Sequence, residues 1–322
     1  MNKITFLILL FFIALCSCEK QQSQKKANTI YLQLNWFPEA EHGGFYTALI
    51  LGYYKEQGLD VKIIPGGPGM PVLQQIARGG KQFGVSNADR VLLAHSQEAK
   101  ITAVMAPIRK SPRCIMFHKS TSITTLEEIS NMTLIMSASA SFSHYVKYKL
   151  PLKGVTIVPY TGNITHFLLN KNSAQQAYIF SEPFVAKNKG VEIKNILVAD
   201  ALDFNPYTSV LVTSQDYAKK HSKIVKKIAI ASRKGWLKYL ESPQKTNEYI
   251  HSINKEMSLD ILKYGVESLR PLVFDKLEKH ETLGIMEEKR WETLLQQMHE
   301  AKMLDKKTVK INEVFSNEYL DD

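Results

Sequence analysis

Leu34-Asn35-Trp36-Phe37-Pro38-Glu39-Ala40-Glu41-His42-Gly43-Gly44-Phe45-Tyr46 opens the stretch that decides the fold. Tyr53-Tyr54-Lys55-Glu56-Gln57-Gly58-Leu59-Asp60-Val61, running on to Pro65-Gly66-Gly67-Pro68, completes it. Ahead of it Ile30, Leu32 and Leu34 alternate with Tyr31 and Gln33, and residues 61–64 form a short β-branched run. Those patterns predict two strands bracketing one helix, a βαβ unit. In the helix Phe45, Tyr46, Leu49, Ile50 and Tyr53 recur at three- and four-residue steps, which gives a stripe able to lie on a sheet. Gly52 weakens the helix near its end, and Gly58 stops the short helical turn beyond it.

The loop between first strand and helix is where an open α/β sheet binds ligands, because helix N-terminal amides point outward beyond the strand's carboxyl end. Asn35, Trp36, Glu39, Glu41 and His42 supply an amide, a flat π face, two carboxylates and an imidazole there. Gly43 and Gly44 would let a ligand approach the backbone. The competing reading is a solvated loop with Trp36 packed into the core.

Asn35-Trp36 with Pro38 and His42, followed by Gly52-Tyr53-Tyr54-Lys55-Glu56-Gln57-Gly58-Leu59-Asp60, resembles the opening of the NMT1/THI5-like family. That family contains substrate-binding proteins of ABC transporters for thiamine-pyrimidine precursors, riboflavin and related small molecules, and also a eukaryotic pyrimidine synthase. The resemblance runs over roughly residues 29–245 and implies an α/β type II periplasmic-binding-protein fold, two α/β lobes joined by a two-strand hinge. It implies one lobe of residues 29–110 and 207–322, a second of 111–206, and closure on a ligand that an ABC permease reads.

Residues 1–18 read as a signal rather than as part of the fold. Lys3 precedes an apolar run over 4–15, well short of the ~20 residues that span a bilayer. Leu15-Cys16-Ser17-Cys18 resembles a bacterial lipobox, with cleavage before Cys18 and lipidation of that cysteine; an ordinary cleaved signal is the alternative. Residues 19–28 are polar and read as a flexible tether. The expected location is the cell envelope, lipid-anchored on the extracytoplasmic side.

Three cysteines do not make a disulfide framework, and Cys114 lies alone in an apolar run. The nine histidines show no two-histidine metal spacing, although His42, His118, His144 and His166 could still meet in space. The net charge of +10 is spread over the C-terminal helices and residues 187–194, with no stripe or RNA-binding signature. This reads as a surface near anionic lipid heads, with no nucleic-acid partner.

Strand and helix signals alternate onward as in a mainly parallel sheet with flanking helices. Gly66-Gly67-Pro68-Gly69 predicts a tight turn before a helix over 71–78, with backbone able to face a ligand. A strand over 82–85 leads to Asn87 and Asp89, where helix capping and ligand binding compete. Pro107 and Pro112 bracket a polar crossing read as one hinge, and Asn205-Pro206-Tyr207 as the other, before a strand over 207–213. Between them come a capping box from Thr124 to Glu127, a small-residue loop around Ser139, and Tyr160 after a strand over 156–158. Tyr178 and Ser181-Glu182-Pro183 end another strand, and they resemble the family's second-domain motif, in which a glutamate commonly meets the ligand. Gly235, Trp236 and Tyr239 read as core. The helical stripes at Ile250, Ile253, Met257, Ile261, Leu262 and Leu269, and at Trp291, Leu294, Leu295 and Met298, are spaced to pack on the first lobe.

The expected ligand-binding set is therefore Asn35, Trp36, Glu41, His42, Tyr46, Gly66, Gly67, Asn87, Asp89, Ser139, Tyr160, Tyr178 and Glu182, with no catalytic residue, cofactor or metal. In the synthase stretch carrying its lysine and histidine, Ser86 and Arg90 stand here, and its cysteine-rich run near 203–208 is missing. Aromatic surface with acids and amides suits a flat N–H-bearing ring, a thiamine-type aminopyrimidine first and riboflavin next. A sulfonate or nitrate would call for Arg or Lys at the helix mouths.

Overall fold

The computed structural model describes residues 29–274 and 282–321. The expected signal, the expected tether and the expected lipidation site Cys18 lie outside the described residues. β1 (Ile30–Gln33), β2 (Val61–Ile64), β3 (Phe83–Ser86) and β4 (Ile101–Met105) form one sheet with β10 (Val210–Ser214), in the order β2-β1-β3-β10-β4. β5 (Arg113–His118), β6 (Thr133–Ile135), β7 (Thr156–Val158), β8 (Ser173–Tyr178) and β9 (Ile193–Leu197) form the other, in the order β7-β6-β8-β5-β9. The two orders are equivalent, so each lobe repeats one plan. Each also carries a strand against the run: β10 is antiparallel to β3 and β4, and β5 is antiparallel to β8 and β9. The mainly parallel expectation thus misses one reversed strand per sheet.

That reversal positions the site. The first residues of β10 and β5 lie beside the last residues of β3 and β8, so both crossovers reach the ends of the strands that face the cleft. The crossovers pair with each other through a bridge between Ile108 and Thr208. The second strand begins at Val210 rather than 207, because Tyr207 and Thr208 belong to this crossing.

Helices cover both sheets. In the first lobe these are α1 (Gly43–Ile50), α2 (Tyr53–Glu56), α3 (Val72–Ala77) and α4 (Ala88–Ser96). The second has α5 (Ser141–Lys149), α6 (Thr165–Leu169), α7 (Glu182–Asn188) and α8 (Val198–Leu202). After β10 come α9 (Gln215–Lys220), α10 (Ser222–Glu241), α11 (Gln244–Ile253), α12 (Leu259–Val273), α13 (Glu288–Glu300) and α14 (Ile311–Val314). Ser214 caps α9 by accepting from the Tyr217 amide. The capping box sits one residue later than expected, on Thr125 and Glu128, since the consecutive threonines and glutamates permit either register.

The core of the first lobe is built on α1 against α10. A Cβ on Gly43 would lie 2.0 Å from the Tyr239 ring, and one on Gly44 2.1 Å from Trp236. These glycines therefore admit α10 rather than a ligand. Gly235 answers from the other helix, with 2.2 Å from its would-be Cβ to the Gly44 carbonyl oxygen. α12 packs on the first lobe and also reaches the second, where Tyr264 meets the Phe184 ring at 5.0 Å. α13 touches both α4 and α5, so its stripe spans the lobes instead of packing on one.

Candidate functional site

The segments that follow β1, β3, β7 and β8 meet between the lobes. From β8, the Glu182 carboxylate accepts from the Tyr160 hydroxyl and from the Tyr178 backbone N–H, each at 2.8 Å. It caps the preceding turn in this way, while Ser181 holds the N-cap position of α7. From β3, Asn87 holds the N-cap position of α4 without a capping hydrogen bond. Its amide instead donates to the Tyr178 hydroxyl at 3.1 Å, and its carbonyl oxygen accepts from the Ser209 backbone N–H at 3.3 Å. Ser209 itself adopts φ of 55°, a left-handed conformation unusual for serine.

The first-lobe loop contributes three ionisable groups. Glu39, Glu41 and His42 are 5%, 1% and 0% exposed. Asn35 joins two of them: His42 Nε2 lies 2.9 Å from its Oδ1, and its amide bonds Glu41. Burial lowers the His42 pKa to about 3, so the ring is neutral. Burial raises Glu41 to about 7, against the pull of Arg113 and hydrogen bonds from Ser209 and Asn35. Glu39 is held well above the carboxylate range, first by burial and then by Glu41 and Glu182. Its side chain bonds Ser181 of the other lobe.

Arg113 faces these acids. It is the first residue of β5 and pairs in register with Tyr178, the last residue of β8. Its guanidinium lies 3.9 Å from the Tyr178 ring centre and 4.6 Å from that of Phe142. Burial works against its charge, but Tyr178, Glu182 and Tyr160 more than offset this and raise its pKa. Burial raises Tyr178 to about 12, so its hydroxyl stays protonated. Arg113 follows the crossing bracketed by Pro107 and Pro112 and is not among the expected site residues; only the antiparallel register brings it to the cleft.

Trp36 is half-buried, and its ring edge lies 3.8 Å from where a Gly162 Cβ would stand, two residues beyond Tyr160. Its carbonyl accepts from the Gly66 amide at 2.9 Å. Gly66 is required there, since a Cβ would lie 2.3 Å from the Leu34 carbonyl oxygen, whereas Gly67 rests against the Phe37 ring. Asp89 is 7% exposed and near enough to Tyr178 to raise its pKa. Ser139 is exposed in the loop before α5, its N–H donating to Ser137. Tyr46 is packed in the first-lobe core, 5.6 Å from the Tyr249 ring. The structure therefore gathers Asn35, Trp36, Glu41, His42, Asn87, Asp89, Tyr160, Tyr178 and Glu182 around one crevice. It adds Glu39, Arg113, Phe142, Ser181 and Ser209.

Among the described residues no group of three His, Cys, Asp or Glu could hold a metal, and no helix is long and apolar enough to cross a membrane. His118 bonds the Phe167 carbonyl in the second lobe, away from His42.

The chain is similar to the formylaminopyrimidine-binding protein of Halalkalibacterium halodurans, with 21% identity covering 91% of each chain. It is similar also to the riboflavin-binding protein RibY of Chloroflexus aurantiacus, with 22% identity covering 92% of this chain and 88% of that one. Its fold matches the periplasmic aliphatic sulphonate binding protein SsuA of Escherichia coli at a TM-score of 0.68, with 11% identity, covering 88% of this chain and 91% of that one. The model of the family described as NMT1/THI5 like matches residues 39–246. Two lobes on one repeated plan, closed around an acidic and aromatic crevice, accompany that match: the chain belongs to the NMT1/THI5-like family and has the periplasmic-binding-protein fold.

Proposed function

We propose that the protein is an extracytoplasmic solute-binding lipoprotein, anchored through Cys18, which captures a small planar heteroaromatic ligand and presents it to an ABC permease. An aminopyrimidine precursor of thiamine is the first ligand class and riboflavin the second. One observation carries this reading: three carboxyl side chains, Glu39, Glu41 and Glu182, share the crevice with one guanidinium and with the rings of Trp36, Tyr160 and Tyr178. Carboxyl groups beside flat rings suit a ligand that offers N–H groups and a π face. Arg113 alone would favour an anion, but its charge is already met by the surrounding carboxyls. Cleft residues from both lobes touch a ligand together only when the lobes are shut, so binding shifts the hinge population toward the form a permease would read.

Relatives named for binding a formylaminopyrimidine and riboflavin support the ligand class. Ser86 and Arg90 at the synthase positions support binding rather than catalysis, since neither supplies the lysine or the histidine. A thermal-shift panel tests the reading. Stabilisation by an aminopyrimidine or a flavin is expected; stabilisation by an alkanesulfonate alone would overturn it.

A further inference from the structure

The pole of the first lobe opposite the cleft gathers lysines that the ligand site does not use. At the start of β1, Lys81 Nζ lies 4.5 Å from the Tyr31 ring centre, and Lys62 stands beside Tyr31 in the strand register. At the start of β3, Phe83 packs on Tyr217 at 5.6 Å, and Tyr217 on His221 at 4.5 Å. The Gln215 amide donates to the Lys100 carbonyl just before β4. Sheet geometry thus places Lys62, Lys81 and Lys100 at the same end as Lys219, Lys220 and Lys223, which line the α9–α10 junction. Asp60, Glu98, Asp216 and Glu313, whose backbone carbonyl accepts from the Gln215 side chain, are carboxylates at this end, fewer than the six lysines. Among the described residues none of the six lysines makes an ion pair.

The chain enters the fold at this same pole. Thr29 Oγ1 donates to Asp60 Oδ2 at 2.7 Å, and the segment before it brings Lys20, Lys25 and Lys26. We propose that this pole docks on the anionic headgroups of a phospholipid membrane, holding the first lobe by its distal end with the cleft turned outward. Each lysine contributes weakly and only within a Debye length, so the contact is reversible and leaves the protein free to turn toward a permease. The inference does not depend on which ligand fills the cleft.

Vesicle co-sedimentation of the full chain tests it, with phosphatidylcholine vesicles compared against vesicles that also contain phosphatidylglycerol. Any leader or lipid binds both kinds, so the readout is the ratio between them. At low salt the ratio should be about tenfold or more, and it should fall toward one at about 0.5 M salt. Lys219→Glu/Lys220→Glu/Lys223→Glu should abolish it with an unchanged melting temperature. Lys289→Glu/Lys302→Glu/Lys307→Glu, which reverses the same charge elsewhere, should keep it. No preference in the wild type, survival in the first variant, or equal loss in both would overturn the proposal. Should the triple variant fail to fold, single reversals at Lys220 and Lys223 decide: partial losses are expected, and no change would overturn it.

Discussion

The Asn87 amide and the Tyr178 hydroxyl meet at 3.1 Å across the cleft, joining the N-cap position of α4 in one lobe to the last residue of β8 in the other. The same asparagine accepts from Ser209 in the second crossover, so one side chain touches both lobes and the hinge. Asn87 leaves its helix cap unmade to do this.

Asn87→Ala should therefore favour the open form. Losing these bonds is expected to weaken ligand binding several-fold, from about 1 kcal/mol per hydrogen bond. Small-angle scattering should show a larger radius of gyration for the ligand-free variant. An unchanged radius with unchanged affinity would remove Asn87 from the closing contact.

Trp36→Ala and Trp236→Ala separate cleft from core. Trp36 is half-buried at the crevice, and its truncation should weaken binding roughly tenfold or more while barely moving the ligand-free melting temperature. Trp236 is 0% exposed, and its truncation should cost about 3–5 kcal/mol of stability. Equal stability losses in the two variants would return Trp36 to the core.

Glu41 sets a pH dependence. Its folded pKa of about 7 lies above the ordinary 4.5, so the folded chain binds more protons between the two values. This group's contribution falls as pH rises from 4.5 to about 7 and stays lost above that. His42, held down at about 3, works oppositely, adding stability as pH rises from about 3 to 6.5. The His42 effect cancels between wild type and Glu41→Gln. The variant's stability relative to wild type should therefore rise from about pH 5 to about pH 8, by on the order of 3 kcal/mol. Denaturant unfolding at the two pH values measures it, and a difference that does not change would place Glu41 at an ordinary pKa.

Gly44→Ala probes the close approach of α1 to α10. With 2.1 Å between the new Cβ and the Trp236 ring, the helices must separate, at about 1–3 kcal/mol or more. A melting temperature within error of wild type would show that α10 yields freely.

Much of this architecture was legible in local sequence. Alternation found β1 and a β-branched run found β2, whereas β9 was not among the expected strands. Gly52 marked the weak point at which the single expected helix divides into α1 and α2, and the Asn35-Trp36 loop and Glu182 come together from both lobes. Arg113 was not legible because its place depends on β5 running against β8, a long-range pairing that leaves no mark in neighbouring residues. Tyr46 and Gly43–Gly44 were misplaced for a similar reason. Helical periodicity tells which residues share a face, but not that α10 covers this one. α13 bridges the lobes because Trp291 packs on Tyr207 in the second crossover, with ring centres 6.0 Å apart, while Arg290 donates to the carbonyls of Arg109 and Asn205 in both.

Titration calorimetry of wild type and Glu182→Gln with an aminopyrimidine, beside an alkanesulfonate, tests most directly the claim that the cleft holds an N–H-bearing ring against an acid. The account predicts that the wild type binds the aminopyrimidine and not the sulfonate, and that Glu182→Gln loses at least about tenfold in affinity. Sulfonate binding by the wild type, or an aminopyrimidine affinity that Glu182→Gln leaves intact, would contradict it.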